Sequence, residues 1–230
     1  MSATTSPFRP ALFTFLRDLA ANNNRDWFEA NRSRYEKHLL HPAQQFITDF
    51  APRLRRISRH FNADPRPGKG TLFRIYRDVR FAKDKSPYKT WIGIQFRHKS
   101  AKDAHAPGFY LHLEPGNVMA GAGIWHPDTK TTNRIRDAIV EESASWKRVS
   151  HGKKFRQRFE LGGDSLKRPP RGYDPEHPLI DDLKRKDFFG LSKVTQKEAI
   201  SDDFLDLYEQ ACRAGGPLMR FLCRAIGVDY

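Results

Sequence analysis

The hydrophobic residues of this chain change their spacing once and then change it back. Before residue 60 they recur every three to four positions, as Leu12 and Leu16 do, which is the period of an amphipathic helix. After the proline- and glycine-rich segment 64–70 the period becomes two, and from Asp128 onward it is helical again. Helices on both sides of a block of strands predict an α+β fold. We expect a central, mainly antiparallel sheet with N-terminal and C-terminal helices packed against it.

The block of strands is short and closely spaced. The expected strands are 71–81, 91–97, 109–114 and 118–124. Pro115, Gly116 and Asn117 predict a hairpin turn between the last two. Because parallel neighbours need a crossover of about a dozen residues or more, these strands favour an antiparallel meander.

The flanking segments carry recognisable helix signals. The asparagines at 22–24 are expected to end one helix and to cap the next. Pro52 lacks an amide proton, so it is expected to kink or split the third N-terminal helix. Three further helices are predicted in the C-terminal part, at 135–146, 204–211 and 218–226.

The length and composition favour one compact unit. The chain has 230 residues, 38% of them hydrophobic, which is enough for one sizeable core. We expect a single domain over 1–230, helical at 8–60, strand-rich at 71–125 and helical at 128–228. Cys212 and Cys223 lie on apolar helical stripes, which favours buried, reduced thiols over a disulfide.

Positive charge is the most unusual feature of the composition. Lys and Arg number 41 against 27 Asp and Glu, which gives a formal net charge of +14. Residues 53–89 alone hold twelve Lys or Arg and three Asp or Glu. Such a surface attracts phosphorylated small molecules or nucleic acid. No stretch approaches the roughly eighteen apolar residues of a membrane helix and no signal peptide is evident, so we expect a soluble, cytoplasmic protein without a membrane partner.

The charges are densest in RIYRDVRFAKDKSPYKT, residues 74–90, with eight charged side chains in seventeen positions. The first half alternates like a strand that buries Ile75, Val79 and Phe81, and Arg77 falls on that apolar side. A buried guanidinium needs a carboxylate, backbone carbonyls or a ligand, since an unpaired buried charge is strongly destabilising. Arg77 is therefore either a core arginine paired with an internal carboxylate or part of a binding site.

The second half of this segment is a predicted turn. Asp84 or Ser86 can hydrogen-bond nearby amides, and Pro87 fixes the backbone. This turn would hold the surrounding lysines around the opening of one binding site. Guanidinium groups offer phosphate a fork of donors, and ammonium groups offer point charges. The residues expected to bind a ligand are Arg74, Arg77, Arg80, Lys85, Tyr88 and Lys89. The alternative is a solvated basic surface without a pocket.

A second group of polar residues lies on the strand YLHLEPG. Tyr110, His112 and Glu114 share one face of that strand. If the same face carries Asp78, then Asp78, His112 and Glu114 are the candidates for general acid–base chemistry. The alternative is a face covered by helices, with its polar groups satisfied in pairs. No metal or cofactor is expected, because the spacing of His112, Glu114 and His126 matches no established ligand motif.

Four segments carry a resemblance to a known family, in the same order along the chain. They are NNNRDWFEANRSRY at 22–35, RDVRFAKDKSPYKT at 77–90, GFYLHLEPG at 108–116 and GDSLKRPPRGYDPEHP at 163–178. In these motifs the chain resembles the family described as domain of unknown function 2461. The resemblance implies a single domain over nearly the whole chain. It implies no activity and supplies no catalytic residues.

Three functions remain open on the sequence. The first is a basic pocket that binds a phosphate-bearing ligand, such as a nucleotide or a nucleic-acid end. The second is an enzyme that uses Asp78, His112 or Glu114 for acid–base chemistry on that ligand. The third is a basic module that binds nucleic acid or protein without a pocket, which a steep salt dependence would reveal.

Overall fold

A computed structural model gives the fold and describes residues 6–68, 70–100 and 105–230. Lys69 of the proline- and glycine-rich segment and residues 101–104 of the strand-rich segment lie outside the described residues, as do residues 1–5. The helices are α1 (Pro10–Ala21), α2 (Arg25–Ala30), α3 (Arg32–Tyr35), α4 (His41–Ile57), α5 (Thr129–Glu141), α6 (Ser143–Trp146), α7 (Lys153–Arg156), α8 (Ile180–Leu183), α9 (Gln196–Ala199) and α10 (Phe204–Ile226). Two π-helical turns, Glu36–Leu40 and Lys147–His151, follow α3 and α6.

One antiparallel sheet forms the centre of the fold. Its strands are β1 (Ile92–Arg97), β2 (Gly108–Glu114), β3 (Asn117–Ile124), β4 (Glu160–Gly162) and β5 (Phe188–Val194), in the spatial order β1-β2-β3-β5-β4. The α+β fold is therefore confirmed, as are the strands predicted at 91–97, 109–114 and 118–124. The hairpin turn between β2 and β3 is also confirmed, with Gly116 at a φ of +77°.

Among the described residues, the helices pack on one face of the sheet. Along β1 to β3 the covered face carries large or branched apolar residues, such as Ile94, Phe109 and Leu111, all fully buried. The long helix α10 packs against β3 on this side. The opposite face carries residues such as Tyr110 and Met119, which are only partly buried. Alternation of side chains along each strand thus separates a core face from an open face.

The N-terminal helices follow the sequence signals closely. Leu12, Leu16 and Leu19 of α1 are fully buried. α1 ends at Asn22, and the side chain of Asn24 accepts a hydrogen bond from the Trp27 amide at the start of α2. The expected split of the third helix at Pro52 is wrong, because α4 runs from His41 to Ile57 with Pro52 inside it.

The strand predicted at 71–81 is wrong. This segment is a loop that pairs with β1 through one isolated bridge, between Leu72 and Ile94, and it bends back on itself through the bridge between Tyr76 and Tyr88. Pro87 has no amide proton, so the returning half of the loop cannot continue a ladder. Phe81, expected on an apolar face, is 95% exposed.

The segment 128–228 is not wholly helical, because it contributes β4 and β5. β5 alternates in burial, but its inward positions after Phe188 are Gly190 and Ser192. A Cβ on Gly190 would lie 2.7 Å from the Phe155 ring, so glycine is needed for the ring to approach. Since small residues occupy the covered side, the usual hydrophobic alternation of a strand is missing from the sequence.

The two helices predicted at 204–211 and 218–226 are one helix, α10, with Pro217 inside it. Its glycines permit a close approach to the sheet: a Cβ on Gly215 would lie 2.6 Å from the Cβ of Ala122 on β3. Cys212 and Cys223 are buried and free, as predicted, and burial raises the pKa of the Cys223 thiol to about 12. No helix within the described residues is long and apolar enough to span a membrane.

The contact between α10 and β3 can be tested with two adjacent glycines. Gly215→Ala should lower the free energy of unfolding by about 1–2 kcal/mol, because overpacking against Ala122 outweighs the gain in helix propensity. Gly216→Ala is the matched control, since its Cβ would meet only the end of the Tyr230 side chain. It should leave stability unchanged or raise it, as measured by urea unfolding. Equal effects of the two changes would contradict this account of the packing.

Candidate ligand-binding site on the open sheet face

The open face of the sheet has a hollow floored by glycine. Register places Gly93 of β1 beside His112, and Gly121 of β3 beside Tyr110. A further glycine, Gly123, lies next along β3 on the same face and has a φ of +144°. The Trp91 and Phe73 rings and the Tyr110 hydroxyl fill the space above Gly93, and the backbone of β5 closely approaches Gly123. Of the three glycines, Gly121 is therefore the one that leaves a depression open in the sheet.

Aromatic side chains enclose this hollow into a cavity of about 370 Å³, which we call the aromatic cavity. Gly121 is its open floor, because a Cβ there would have only ordinary contacts of 3.4 Å and more. Its lining is almost wholly apolar. The aromatic side chains of the lining are Phe73, Trp91, Tyr110, Trp125 and Phe189.

Trp125 is held at the rim of the aromatic cavity by its neighbours. Its ring is stacked on His105 at 5.3 Å between centroids and contacts His126 at 4.7 Å. His126 has a φ of 48°, a conformation rare for a residue other than glycine. It is fixed there by Asp187, which is 1% exposed and accepts hydrogen bonds from the His126 amide and from its Nδ1, both at 2.8 Å.

A second cavity, of about 620 Å³, adjoins the first; we call it the polar cavity. Trp91 lines both cavities, so its ring marks their junction. The charged side chains of the polar cavity are Arg77, Asp78, Asp84, Lys89 and Glu114. Acids outnumber bases in this lining, so the cavity is not uniformly basic.

One wall of the polar cavity is the loop 74–90, which is held by Asn23 in the connection between α1 and α2 and by Phe28 of α2. The Asn23 amide donates to the Tyr88 carbonyl at 2.9 Å and accepts from the Tyr88 amide at 3.0 Å. The Tyr88 ring is stacked on Phe28 at 4.0 Å. The loop therefore has a fixed position although it contains no regular secondary structure.

Two arginines of the loop are paired with the loop's own carboxylates. Arg77 donates to Asp84 and to the Ser86 carbonyl. Arg80 donates to Asp78 through two nitrogens, and this guanidinium holds the pKa of Asp78 at about 2. Arg77 is thus paired with a carboxylate, but that carboxylate belongs to the exposed loop, whereas the paired interpretation expected one in the core.

The two lysines differ from these arginines. Lys85 Nζ donates to the Val79 carbonyl at 3.0 Å, at the exposed side of the loop. Lys89 Nζ is half-buried and donates to the carbonyls of Arg74 and Tyr76 at 2.6 and 2.9 Å. Within the described residues Lys89 forms no ion pair with a carboxylate. Burial, together with the charges of Arg74 and Arg77, lowers the pKa of Lys89.

Three side chains of β2 form a hydrogen-bonded row between the two cavities. Tyr110 Oη lies 3.1 Å from His112 Nδ1, and His112 Nε2 lies 3.1 Å from Glu114 Oε2. The Trp91 ring covers His112 at 5.1 Å. Tyr110 lines the aromatic cavity and Glu114 lines the polar cavity, so the row connects the two.

The structure brings some predicted site residues together and not others. Arg77, Tyr88 and Lys89 line the polar cavity, whereas Arg74, Arg80 and Lys85 do not. His112 and Glu114 are in contact, but Asp78 is bonded to Arg80 instead of to either of them. Within 6–68, 70–100 and 105–230 no group of three or more His, Cys, Asp or Glu side chains is placed to hold a metal ion.

The aromatic cavity was missed by the sequence analysis, as was Asn23. A signal was present: Gly93, Gly121 and Gly123 all fall on the side of their strands opposite the large apolar residues. Phe189 and Trp125 had no such signal, because β5 was not recognised and Trp125 follows the end of β3.

The fold and the site define an α+β protein with one open, aromatic sheet face beside a charged loop. The chain matches the family described as conserved hypothetical protein (DUF2461) over residues 11–221. It belongs to this family. No curated protein and no solved structure matches the chain significantly.

The role of Asp187 in fixing His126 at the rim of the aromatic cavity can be tested by substitution. Burial alone would raise its pKa, but hydrogen bonds from the amides of Asp164 and His126 lower it below the ordinary value of 3.8. A carboxyl with a depressed pKa contributes stability that is complete above pH 4 and is lost as pH falls through its folded pKa. Asp187→Asn should therefore lower the free energy of unfolding by about 2 kcal/mol at pH 7. It should also remove part of the stability that the wild-type protein loses at acidic pH. Urea unfolding at pH 7 and pH 3 measures both effects; a variant whose deficit is the same at both values would contradict the assignment.

Proposed function

We propose that this protein binds a phosphate-bearing ligand with an aromatic ring, a nucleotide or a nucleic-acid end, across the two adjoining cavities. The ring occupies the aromatic cavity and the phosphate lies in the polar cavity. The position of Lys89 is the observation that carries the proposal. Its ammonium lacks a carboxylate partner among the described residues and lies 5.6 Å from the centre of the Trp91 ring, where the cavities meet.

The aromatic cavity suits a flat ring. Base–aromatic stacking contributes about 1–3 kcal/mol per base and tolerates differences between bases. Trp91, Tyr110 and Trp125 supply such ring faces, and the glycine floor leaves the space between them open. Several walls are fixed before a ligand arrives, which lowers the entropy cost of binding.

The polar cavity suits the charged part of the same ligand. Asp78 and Asp84 already accept hydrogen bonds from Arg80 and Arg77, so their charges are largely compensated. Lys89 is not compensated in this way, and burial disfavours its charge. A phosphate at this point would restore a favourable partner for the ammonium group. Segment 74–89 as a whole contains six Lys or Arg and two Asp, which adds long-range attraction.

The contribution of Lys89 can be measured with the four ribonucleoside 5′-monophosphates and their parent nucleosides. By isothermal titration calorimetry, at least one monophosphate should bind about tenfold or more tightly than its nucleoside, because it alone makes the charge-assisted contact. Lys89→Met should remove this difference. Lys83→Met is the matched control: it removes the same charge from the same loop, at an exposed position that does not line the polar cavity. If both variants weaken binding equally, Lys89 has no special role.

Variants of the cavity floor separate pocket binding from attraction to a basic surface. Gly121→Leu should fill the aromatic cavity and abolish nucleotide binding, whereas Gly121→Ala adds one methyl group with ordinary contacts and should preserve it. Binding that survives Gly121→Leu and falls steeply with salt for every nucleotide would instead indicate a basic surface without a pocket.

The row formed by Tyr110, His112 and Glu114 favours a second candidate function, proton transfer on the bound ligand. A base held by hydrogen bonds to an orienting carboxylate is a common catalytic arrangement. In this proposal Tyr110 Oη accepts the ligand's proton while the Tyr110 hydroxyl passes its own proton to His112 Nδ1, and Glu114 orients the imidazole. Asp78 has a smaller part, because a carboxyl with a pKa of about 2 is a weak base at neutral pH.

Turnover would distinguish an enzyme from a binding protein. We expect phosphorus-31 NMR to detect conversion of a nucleoside mono-, di- or triphosphate by the wild-type protein. His112→Asn should then lower the rate about 100-fold or more, and Asp78→Asn should lower it little. Nucleotide binding without any conversion would reject this second function and leave the first intact.

A further inference from the structure

Tyr110 is placed to choose which rings the aromatic cavity accepts. Most of the lining is apolar, and Tyr110 is one of its few residues with a polar side-chain group. A Cβ on Gly93 would lie 2.9 Å from Tyr110 Oη, so glycine at that position leaves room for the hydroxyl above the sheet. A polar group in an apolar cavity imposes a strong penalty on ligands that leave it unpaired.

The neighbouring residues fix the direction in which this hydroxyl bonds. An ionised Glu114 carboxylate only accepts hydrogen bonds, and its Oε2 also accepts from Asn117 Nδ2 at 2.9 Å. The nitrogen of His112 that faces it, Nε2, must therefore carry the imidazole proton. In a neutral imidazole the other nitrogen, Nδ1, then has no proton and is an acceptor.

It follows that the Tyr110 hydroxyl donates its proton to His112 Nδ1 across the 3.1 Å contact. The acceptor capacity of Tyr110 Oη that remains is available to the aromatic cavity. Burial raises the pKa of the Tyr110 phenol, so the hydroxyl keeps its proton at neutral pH and the direction of the bond persists.

We propose that the aromatic cavity selects rings that carry a hydrogen-bond donor, an N–H or O–H, which they present to Tyr110 Oη. The proposal rests on the proposed function for the use of this cavity, and it adds the class of ring. A ring nitrogen that only accepts a hydrogen bond meets an oxygen whose proton is already committed to His112. Such a ring gains nothing at this position.

A pair of isomers tests the selection without reference to phosphate. 3-Methylindole and 1-methylindole have the same size and composition, but only the first retains its N–H. At pH 8, where histidine is normally neutral, calorimetry should show 3-methylindole binding the wild-type protein about tenfold more tightly. The preference should disappear in Tyr110→Phe. Equal affinities for the wild-type protein, or no binding of either isomer, would overturn the proposal.

A second variant leaves Tyr110 in place and frees its hydroxyl. His112→Phe removes the acceptor on the strand and keeps a ring beneath Trp91. The hydroxyl can then donate into the cavity, so quinoline, whose ring nitrogen only accepts, should gain several-fold in affinity relative to 1-methylindole. An unchanged quinoline ratio would show that His112 does not direct the hydroxyl.

The two proposals fail in different ways. If nucleotides do not bind but the indole isomers are discriminated as expected, the phosphate part of the proposed function is wrong and the selection by Tyr110 stands. If nucleotides bind through Lys89 but the isomers bind equally, the proposed function stands and the selection by Tyr110 is wrong.

Discussion

Coverage of the sheet on a single face is the constraint on which the rest of the structure depends. Helix α10 packs closely on β3 because Gly215 meets Ala122 without an intervening side chain. The apolar residues of β1 and β2 bury themselves against the same side. The other face is therefore left to a different set of residues, and glycine and aromatic side chains there form a cavity in place of a core. One sheet thus serves as the core on one side and as the candidate site on the other.

In the charged loop 74–90, two of the six Lys and Arg side chains are paired with carboxylates of the loop itself. Arg77 and Arg80 are bonded to Asp84 and Asp78, two to seven residues away in the chain. Pairs of this kind at exposed positions contribute little to stability, but they fix the shape of the loop. Lys89 differs from both arginines because its ammonium donates to backbone carbonyls, and it lines the polar cavity, where a ligand could reach it.

Much of the fold could be predicted from the sequence, because local spacing reports local structure. The alternation of Ile92, Ile94 and Phe96 predicts β1, and Asn24 predicts the start of α2. Prediction failed where a residue's identity is set by a long-range contact. Gly190 lacks a side chain because the Phe155 ring occupies that space, so the strand pattern of β5 is not visible in the sequence.

The candidate site was only partly predictable for the same reason. Its polar members were found by residue type, and His112 and Glu114 were placed correctly on one face by the period of the strand. The cavity beside them depends on the register of β3 against β5, which brings Gly121 opposite Leu191 across about seventy residues of chain. No local pattern contains that information.

The double hydrogen bond between Asn23 and Tyr88 has a mechanical consequence. A mobile loop beside a binding site can serve as a gate when it moves at little cost. Here the segment cannot swing without breaking both bonds to Asn23 and separating the stacked rings of Tyr88 and Phe28. At Tyr88 this wall of the polar cavity therefore moves together with the N-terminal helical region, and displacing it would require these contacts to break.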